Sequence, residues 1–369
     1  MDILEASQRL ELLGQSVIPF SLGEPDFDTP ECVKEVCIKA IRDNKTKYTH
    51  SQGIIELREA IAAHYLKKYG VTVHPDQIIV TQGTSPAFFL LFSTLLGKKK
   101  EVILPNPHYP CDSNFVEFLD GKNIFVPVIE KESYQWDTQK VAQKIGKQTA
   151  ALFVTSPSNP TGTVLKREVL QKLANLSVPI VSDEIYHGLV YEGQEHSILE
   201  FTDNAFVVNG FSKTYAMTGF RLGYLIAPQK YIRPLQKIQQ NFYISANSFV
   251  QQAGIAALTQ AGPDCERMRQ EFKRRRDVML VGLKKLGLKI SYQPEGAFYI
   301  FVDVSHLSKD SYKLAFDILE QAHVAVTPGI DFGSRGEGHL RFSYATSIEK
   351  IEEGLDRLGR YLCNFKSLR

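Results

Sequence analysis

Short β-rich runs alternate with amphipathic stretches from about Tyr48 to Pro228. Apolar and β-branched runs bounded by turn formers predict strands at Ile78–Thr81, Glu101–Leu104, Ile124–Val128, Ala151–Thr155, Ile180–Asp183, Ala205–Asn209 and Leu222–Ala227. Helical spacing of apolar positions predicts helices over Ile55–Tyr69 and Ser85–Leu96. This alternation predicts an α/β fold whose mostly parallel, seven-stranded sheet is covered by helices. After Arg276 the pattern changes. Phe298–Val302, Val324–Thr327 and Leu340–Tyr344 read as short strands, with a last helix near Ser347–Leu362, the profile of a smaller α+β domain. No Pro-rich or Ser-rich linker, internal repeat or low-complexity segment interrupts the chain.

Composition narrows the function classes. The 369 residues are 43% hydrophobic and 23% charged, as in a soluble globular enzyme, with a formal net charge of +2. A balance so near zero, without a sustained basic stripe, leaves no electrostatic footprint for nucleic acid. Lys98–Lys100 reads as a solvated turn and Lys273–Arg276 as a polar helix face. The five cysteines, Cys32, Cys37, Cys111, Cys265 and Cys363, show no Cys-x-x-Cys spacing, so neither a disulfide framework nor a zinc site is expected. Residues 1–20 hold no continuous apolar core of a signal peptide, and Ala87–Leu96 is too short to cross a bilayer. A reducing, cytoplasmic location is the expectation.

The chemistry concentrates around Asn209-Gly210-Phe211-Ser212-Lys213, between two predicted strands. Lys213 falls at a strand's carboxyl end, where open α/β sheets bind ligands. A lysine amine forms a Schiff base with a carbonyl, and the Arg221 fork eight residues on matches phosphate oxygens. Together they suit pyridoxal 5'-phosphate, which also needs an anion opposite its pyridine nitrogen and donors near its ring oxygen. Asp183 follows a buried run, where a carboxylate is costly unless a positive charge meets it; a helix cap or turn is its alternative role. Asn159 sits in the rigid turn Ser156-Pro157-Ser158-Asn159-Pro160-Thr161-Gly162, and its amide and the Tyr186 hydroxyl are the candidate donors to the ring oxygen. Gly83-Thr84-Ser85 follows another strand and opens a helix, a ready anion site. Tyr109 suits either a stacking position on a cofactor ring or the core, and Arg341, within a β-run, calls for an acid partner such as a substrate carboxylate.

In order and spacing, Gly-Thr-Ser, Asn-Pro-Thr-Gly, Asp-x-x-Tyr, Ser-Lys, Arg221 and the late Arg341 resemble the class I/II aminotransferases of the fold-type I pyridoxal-phosphate enzymes, from Ser21 to Ser343. The resemblance implies a pyridoxal-phosphate-binding domain over 45–275 and a small domain built from 1–44 and 276–369. It implies that Lys213 holds the cofactor as an internal Schiff base and shuttles the proton, that Asp183 pairs with the pyridine nitrogen, and that Asn159 and Tyr186 bind the ring oxygen. Gly83, Thr84, Ser85, Arg221 and Ser212 would hold the phosphate, with Tyr48 reaching the neighbouring subunit's site in a homodimer. Gly23, Asn159 and Arg341 would bind the substrate carboxylate. The implied reaction exchanges an amino group between an L-amino acid and a 2-oxo acid in two stages. A cysteine-conjugate β-lyase is the alternative on this scaffold, and a non-catalytic regulatory module a more distant one. Many relatives carry a serine three residues before the lysine, where this chain has Gly210. No arginine is assigned to a distal substrate carboxylate.

Overall fold

Twelve strands organise the computed structural model, which describes residues 2–367. They are β1 (Ile18–Pro19), β2 (Ile78–Thr81), β3 (Glu101–Asn106), β4 (Lys122–Pro127), β5 (Thr149–Thr155), β6 (Ile180–Asp183), β7 (Ala205–Gly210), β8 (Gly223–Ile226), β9 (Tyr299–Asp303), β10 (Val324–Ala325), β11 (Thr327–Pro328) and β12 (His339–Ser343). Seven form one sheet in the order β2-β8-β7-β6-β5-β3-β4. Neighbours run parallel from β7 to β4, and β8 runs against both β7 and β2. The central strands β6, β7 and β8 are buried throughout, as expected of strands covered on both faces, whereas the edge strand β4 begins with an exposed lysine.

Helix Thr84–Leu95 covers one face. Its Ala87, Phe88 and Leu91 pack with Val102, Phe153 and Phe206, the Phe88 and Phe153 rings lying 5.5 Å apart. The opposite face packs Ile103, Val154, Ile180 and Val207 with Leu57 and Ile61 of helix Ile55–Tyr69.

The reversed β8 decides where the site forms. Residues that follow β2, β5, β6 and β7 emerge at one edge of the sheet, while Arg221 precedes a strand. Because β8 is antiparallel, with Gly223 opposite both Gly210 and Thr81, its start lies at the edge where β2 and β7 end. Arg221 therefore reaches the same rim as Gly83 and Lys213.

Toward the end of the chain, β11, β12 and β9 form an antiparallel sheet, and β10 pairs with β1 near the N-terminus. The expected strand Val324–Thr327 is thus two strands with different partners, divided at the buried Val326. Helix Asp2–Leu12 packs on helix Ser311–Ala322, and helix Glu31–Arg42 on helix Ser248–Gln260. Lys273–Arg276 is not a uniformly solvated face. In helix Gly262–Lys285 the 3.6-residue period turns Arg275 and Arg276 inward, where Arg275 meets Asp26 and Glu271, and Arg276 meets Glu192, Asp277 and the Pro294 carbonyl. No helix among the described residues is long and apolar enough to cross a membrane.

Candidate active site

Lys213 lies in a turn pinned at several points. Phe211 donates to the Leu222 carbonyl at 3.1 Å, Met217 to the Phe211 carbonyl at 3.3 Å, and the Thr214 hydroxyl to the His187 carbonyl. Thr29 reaches in from the N-terminal segment to the Ala216 carbonyl at 2.6 Å. So held, the half-buried Lys213 donates from Nζ to the Gly23 carbonyl at 2.5 Å. Burial pulls its amine down to about 8, against the opposing pull of Glu24. About a tenth of the amine is then neutral at pH 7, far more than for a free lysine, and neutral is the form a nucleophile or base requires. A side chain at Gly23 would meet the Tyr299 hydroxyl at 2.8 Å, so glycine is required for this approach.

Asp183 ends β6 and is buried, its Oδ1 accepting from the Ile185 amide at 3.1 Å. Burial pushes its carboxyl up to about 7, opposed by that amide and by Lys213. The next residue, Glu184, faces a different network of Ser182, Ser197, Tyr65 and the Ile198 amide. Asp183 thus retains capacity for a cation delivered to the sheet edge.

Opposite it, two positive poles converge. Gly83, at φ 90°, leads into helix Thr84–Leu95 with no side chain capping the helix's free amides. The Arg221 guanidinium lies against this terminus, its Nη2 only 2.6 Å from where a Gly83 Cβ would stand. Arg221 Nη1 donates to the Thr218 carbonyl at 3.0 Å, and Arg221 forms no ion pair among the described residues. A helix N-terminus and a guanidinium side by side repel unless an anion joins them, and phosphate satisfies both. Thr84, the exposed Ser85 and the buried Ser212 line the same approach at the ends of β2 and β7. A Cβ at Gly210 would lie 3.0 Å from the Leu222 carbonyl and 3.2 Å from Gly223 Cα, so a side chain there requires the neighbouring strand to give by a few tenths of an ångström.

Arg341, in the middle of β12, is buried and stacks over Tyr299 at 4.3 Å. Its Nη1 donates to Asn159 Oδ1 at 2.9 Å, and its Nη2 to the Ser21 carbonyl at 2.7 Å and to Thr327 at 3.1 Å. All these acceptors are neutral, Nε has no partner, and no acid pairs with the guanidinium among the described residues. Its charge is therefore left for an incoming carboxylate. Asn159 faces Arg341 through its oxygen, which leaves its amide hydrogens for another acceptor. The Tyr186 hydroxyl is 2.8 Å from that of Tyr299. The sequence placed Tyr299 and Thr327 only within expected strands, and nothing in it marked them or the Ser21 carbonyl as site groups, because their roles come from tertiary pairing.

Tyr109, at the N-terminal end of helix Pro110–Phe118, is 39% exposed and close enough to Tyr186 and Tyr299 to act on them electrostatically. Tyr48 is 82% exposed and contacts none of these described residues. The groove of about 760 Å³ between Gln15, Asp317, His323 and Arg357 contains none of the cluster's residues.

The chain matches aminotransferase class I and II over residues 15–358. It is 41% identical to the (5-formylfuran-3-yl)methyl phosphate transaminase of Methanocaldococcus jannaschii, covering 98% of this chain and 96% of that protein. It is 40% identical to the aspartate/prephenate aminotransferase of Thermus thermophilus, over 96% and 94% of the two chains. Among solved structures, Thermus thermophilus aspartate aminotransferase with maleate superposes with a TM-score of 0.94 at 38% identity, over 97% and 95% of the chains. An aromatic aminotransferase from Pyrococcus horikoshii superposes with a TM-score of 0.92 at 36% identity, over 98% and 99%. Family match, near-complete coverage and shared fold agree: the chain belongs to the class I and II aminotransferases and is an aminotransferase.

Proposed function

We propose that this aminotransferase uses pyridoxal 5'-phosphate and exchanges an amino group between an L-amino acid and a 2-oxo acid. The observation that carries the proposal is the meeting, at one sheet edge, of a half-buried lysine held at 2.5 Å from the Gly23 carbonyl with a buried Asp183 that forms no ion pair among the described residues. The residues fit the cofactor. Lys213 offers the amine, Asp183 an anion for the ring nitrogen, Asn159 and Tyr186 donors for the ring oxygen, and Gly83, Thr84, Ser85, Ser212 and Arg221 an anion cradle. When bound, the cofactor supplies the electron sink that makes an amino acid's α-proton removable.

With the cofactor bound, Lys213 would act as the base that takes the α-proton and returns it. Arg341 and Asn159 hold the substrate carboxylate, with Gly23 admitting it closely because a side chain there would strike Tyr299. Retaining that carboxylate favours transfer over decarboxylation. The relatives act on aspartate, prephenate, aromatic or phosphorylated furan substrates by their names, and a large neutral or aromatic side chain is the class proposed here. Exposed Tyr48, with Ile38, Ile41 and Phe242 also exposed, supports a homodimer in which Tyr48 completes the partner's phosphate site.

The test is the visible spectrum of the purified protein during addition of single L-amino acids without any oxo acid. Loss of the bound cofactor's visible band, restored by 2-oxoglutarate or pyruvate, is expected. Release of pyruvate and ammonia from a cysteine conjugate, with the band retained, would establish a β-lyase instead. A protein that takes up no cofactor would refute the assignment.

A further inference from the structure

Tyr299 touches two separate parts of the site. It lies in β9, where Phe301 is paired with Arg341 of β12. Residues two apart on a strand share a face, so Tyr299 stands diagonal to Arg341, within reach of its long side chain. The guanidinium accordingly rests 4.3 Å over the Tyr299 ring, with the Phe332 ring at 5.0 Å. At the far end of the same side chain, the Tyr299 hydroxyl is 2.8 Å from that of Tyr186, and the two rings meet edge to face at 5.8 Å. Both tyrosines are buried.

A tyrosine hydroxyl carries one proton. When Tyr186 directs its proton to the ring oxygen of the cofactor, it cannot also donate to Tyr299, so the bond between them has to be donated by Tyr299. Tyr299 is free to do so, since its hydroxyl makes no other hydrogen bond among the described residues. Both protons are in place, because burial holds both phenols above the usual tyrosine range, with Arg341 pulling each the other way. A hydroxyl that accepts a hydrogen bond becomes a better donor, and the effect is stronger in a buried site than in water.

We propose that Tyr299 is a positioning residue for cofactor and substrate together: its hydroxyl donates to Tyr186 and aims that residue's proton at the cofactor's ring oxygen, while its ring seats the Arg341 guanidinium that receives the substrate carboxylate. The inference rests on the cofactor and carboxylate assignments above. It also gives the close approach of Gly23 a second meaning, because any side chain there would strike the same hydroxyl at 2.8 Å.

The experiment compares the cofactor-loaded wild type with Tyr299→Phe, Tyr299→Leu, Tyr186→Phe and the Tyr186→Phe/Tyr299→Phe double variant. The readouts are the pH midpoint of the bound cofactor's visible band and the KM for amino acid and oxo acid. A donor to the ring oxygen favours its anion and so lowers the midpoint. Tyr299→Phe keeps the ring and loses the hydroxyl, so its midpoint should rise by about half a pH unit or more with KM within about twofold of wild type. Tyr299→Leu loses the ring as well and should in addition raise KM roughly 3- to 30-fold. In the Tyr186→Phe background, Tyr299→Phe should leave the midpoint unmoved, because Tyr186 relays the effect.

An unmoved midpoint in Tyr299→Phe would overturn the proposal. An equal shift with and without Tyr186, or a KM in Tyr299→Leu no higher than in Tyr299→Phe, would overturn it too. Thermal melts identify a leucine variant that fails to fold, and the phenylalanine variants then decide alone. A wild type that shows no cofactor band would strike the cofactor assignment, and an Arg341→Ala variant with unaltered KM would strike the carboxylate assignment; both results are distinguishable from differences among the Tyr299 variants.

Discussion

Arg341 Nη1 donates to Asn159 Oδ1 at 2.9 Å, a bond that joins the end of the large sheet to the middle of the small one across 182 residues of sequence. The guanidinium is oriented by neutral oxygens and keeps its charge for a ligand. Replacing Arg341 by alanine should raise the KM for amino acid and oxo acid together by roughly 10- to 100-fold, as expected for loss of a charged hydrogen-bonding partner. Cofactor affinity should be nearly unchanged. Loss of cofactor with unaltered KM, measured by steady-state kinetics and absorbance, would remove Arg341 from the substrate site.

Lys213 should titrate far below a free lysine. Burial brings its amine to about 8, so in the cofactor-free protein its rate of reductive methylation should climb about tenfold per pH unit up to about pH 8 and then level off. Peptide mapping by mass spectrometry follows this one residue. A midpoint near 10 would show that its site is solvated. In the loaded enzyme, Lys213→Ala should lower turnover by at least roughly 100- to 10,000-fold, the range for loss of a general base.

Asp183 makes stability depend on pH in a stated direction. Its carboxyl is raised to about 7 in the folded chain, whereas an unfolded aspartate titrates near ~4. Between these values the folded state holds a proton that the unfolded state has lost. The contribution is complete below about pH 4 and disappears as pH rises through about 7. Thermal melts of the cofactor-free protein should therefore show wild type losing stability relative to Asp183→Asn over that window. A constant difference between the two proteins would contradict the burial argument.

Gly210 sits close against the neighbouring strand β8. Adding a hydroxyl there, as Gly210→Ser, places a Cβ 3.0 Å from the Leu222 carbonyl and should cost about 1–3 kcal/mol in a urea unfolding experiment. Tighter cofactor binding without loss of stability would show that the neighbouring strand yields easily.

Tyr48 offers a test of shared sites. Lys213→Ala and Tyr48→Ala, each impaired alone, should regain activity when mixed and allowed to exchange subunits, because one site of each hybrid then carries neither defect. Mixtures no more active than the separate variants would place Tyr48 in its own chain's site.

The sequence by itself determined the sheet strands, since apolar runs such as Ile180–Asp183 and Ala205–Gly210 are buried on both faces and carry a continuous pattern. It also marked Lys213, Asp183, Asn159 and Arg221 as residues beside strand ends, because local order along the chain is enough to say so. What tertiary structure decided was pairing. Only the reversal of β8 brings Arg221 to Gly83, and only the register of β12 sets Arg341 opposite Thr327. The split of Val324–Thr327 between two partners likewise has no local signature, and neither do the distant groups that Arg275 and Arg276 meet, Asp26, Glu192 and the Pro294 carbonyl. Periodicity reports which side of an element is buried. What that side meets depends on contacts between residues far apart in the chain, and those contacts exist only once the whole sheet has closed.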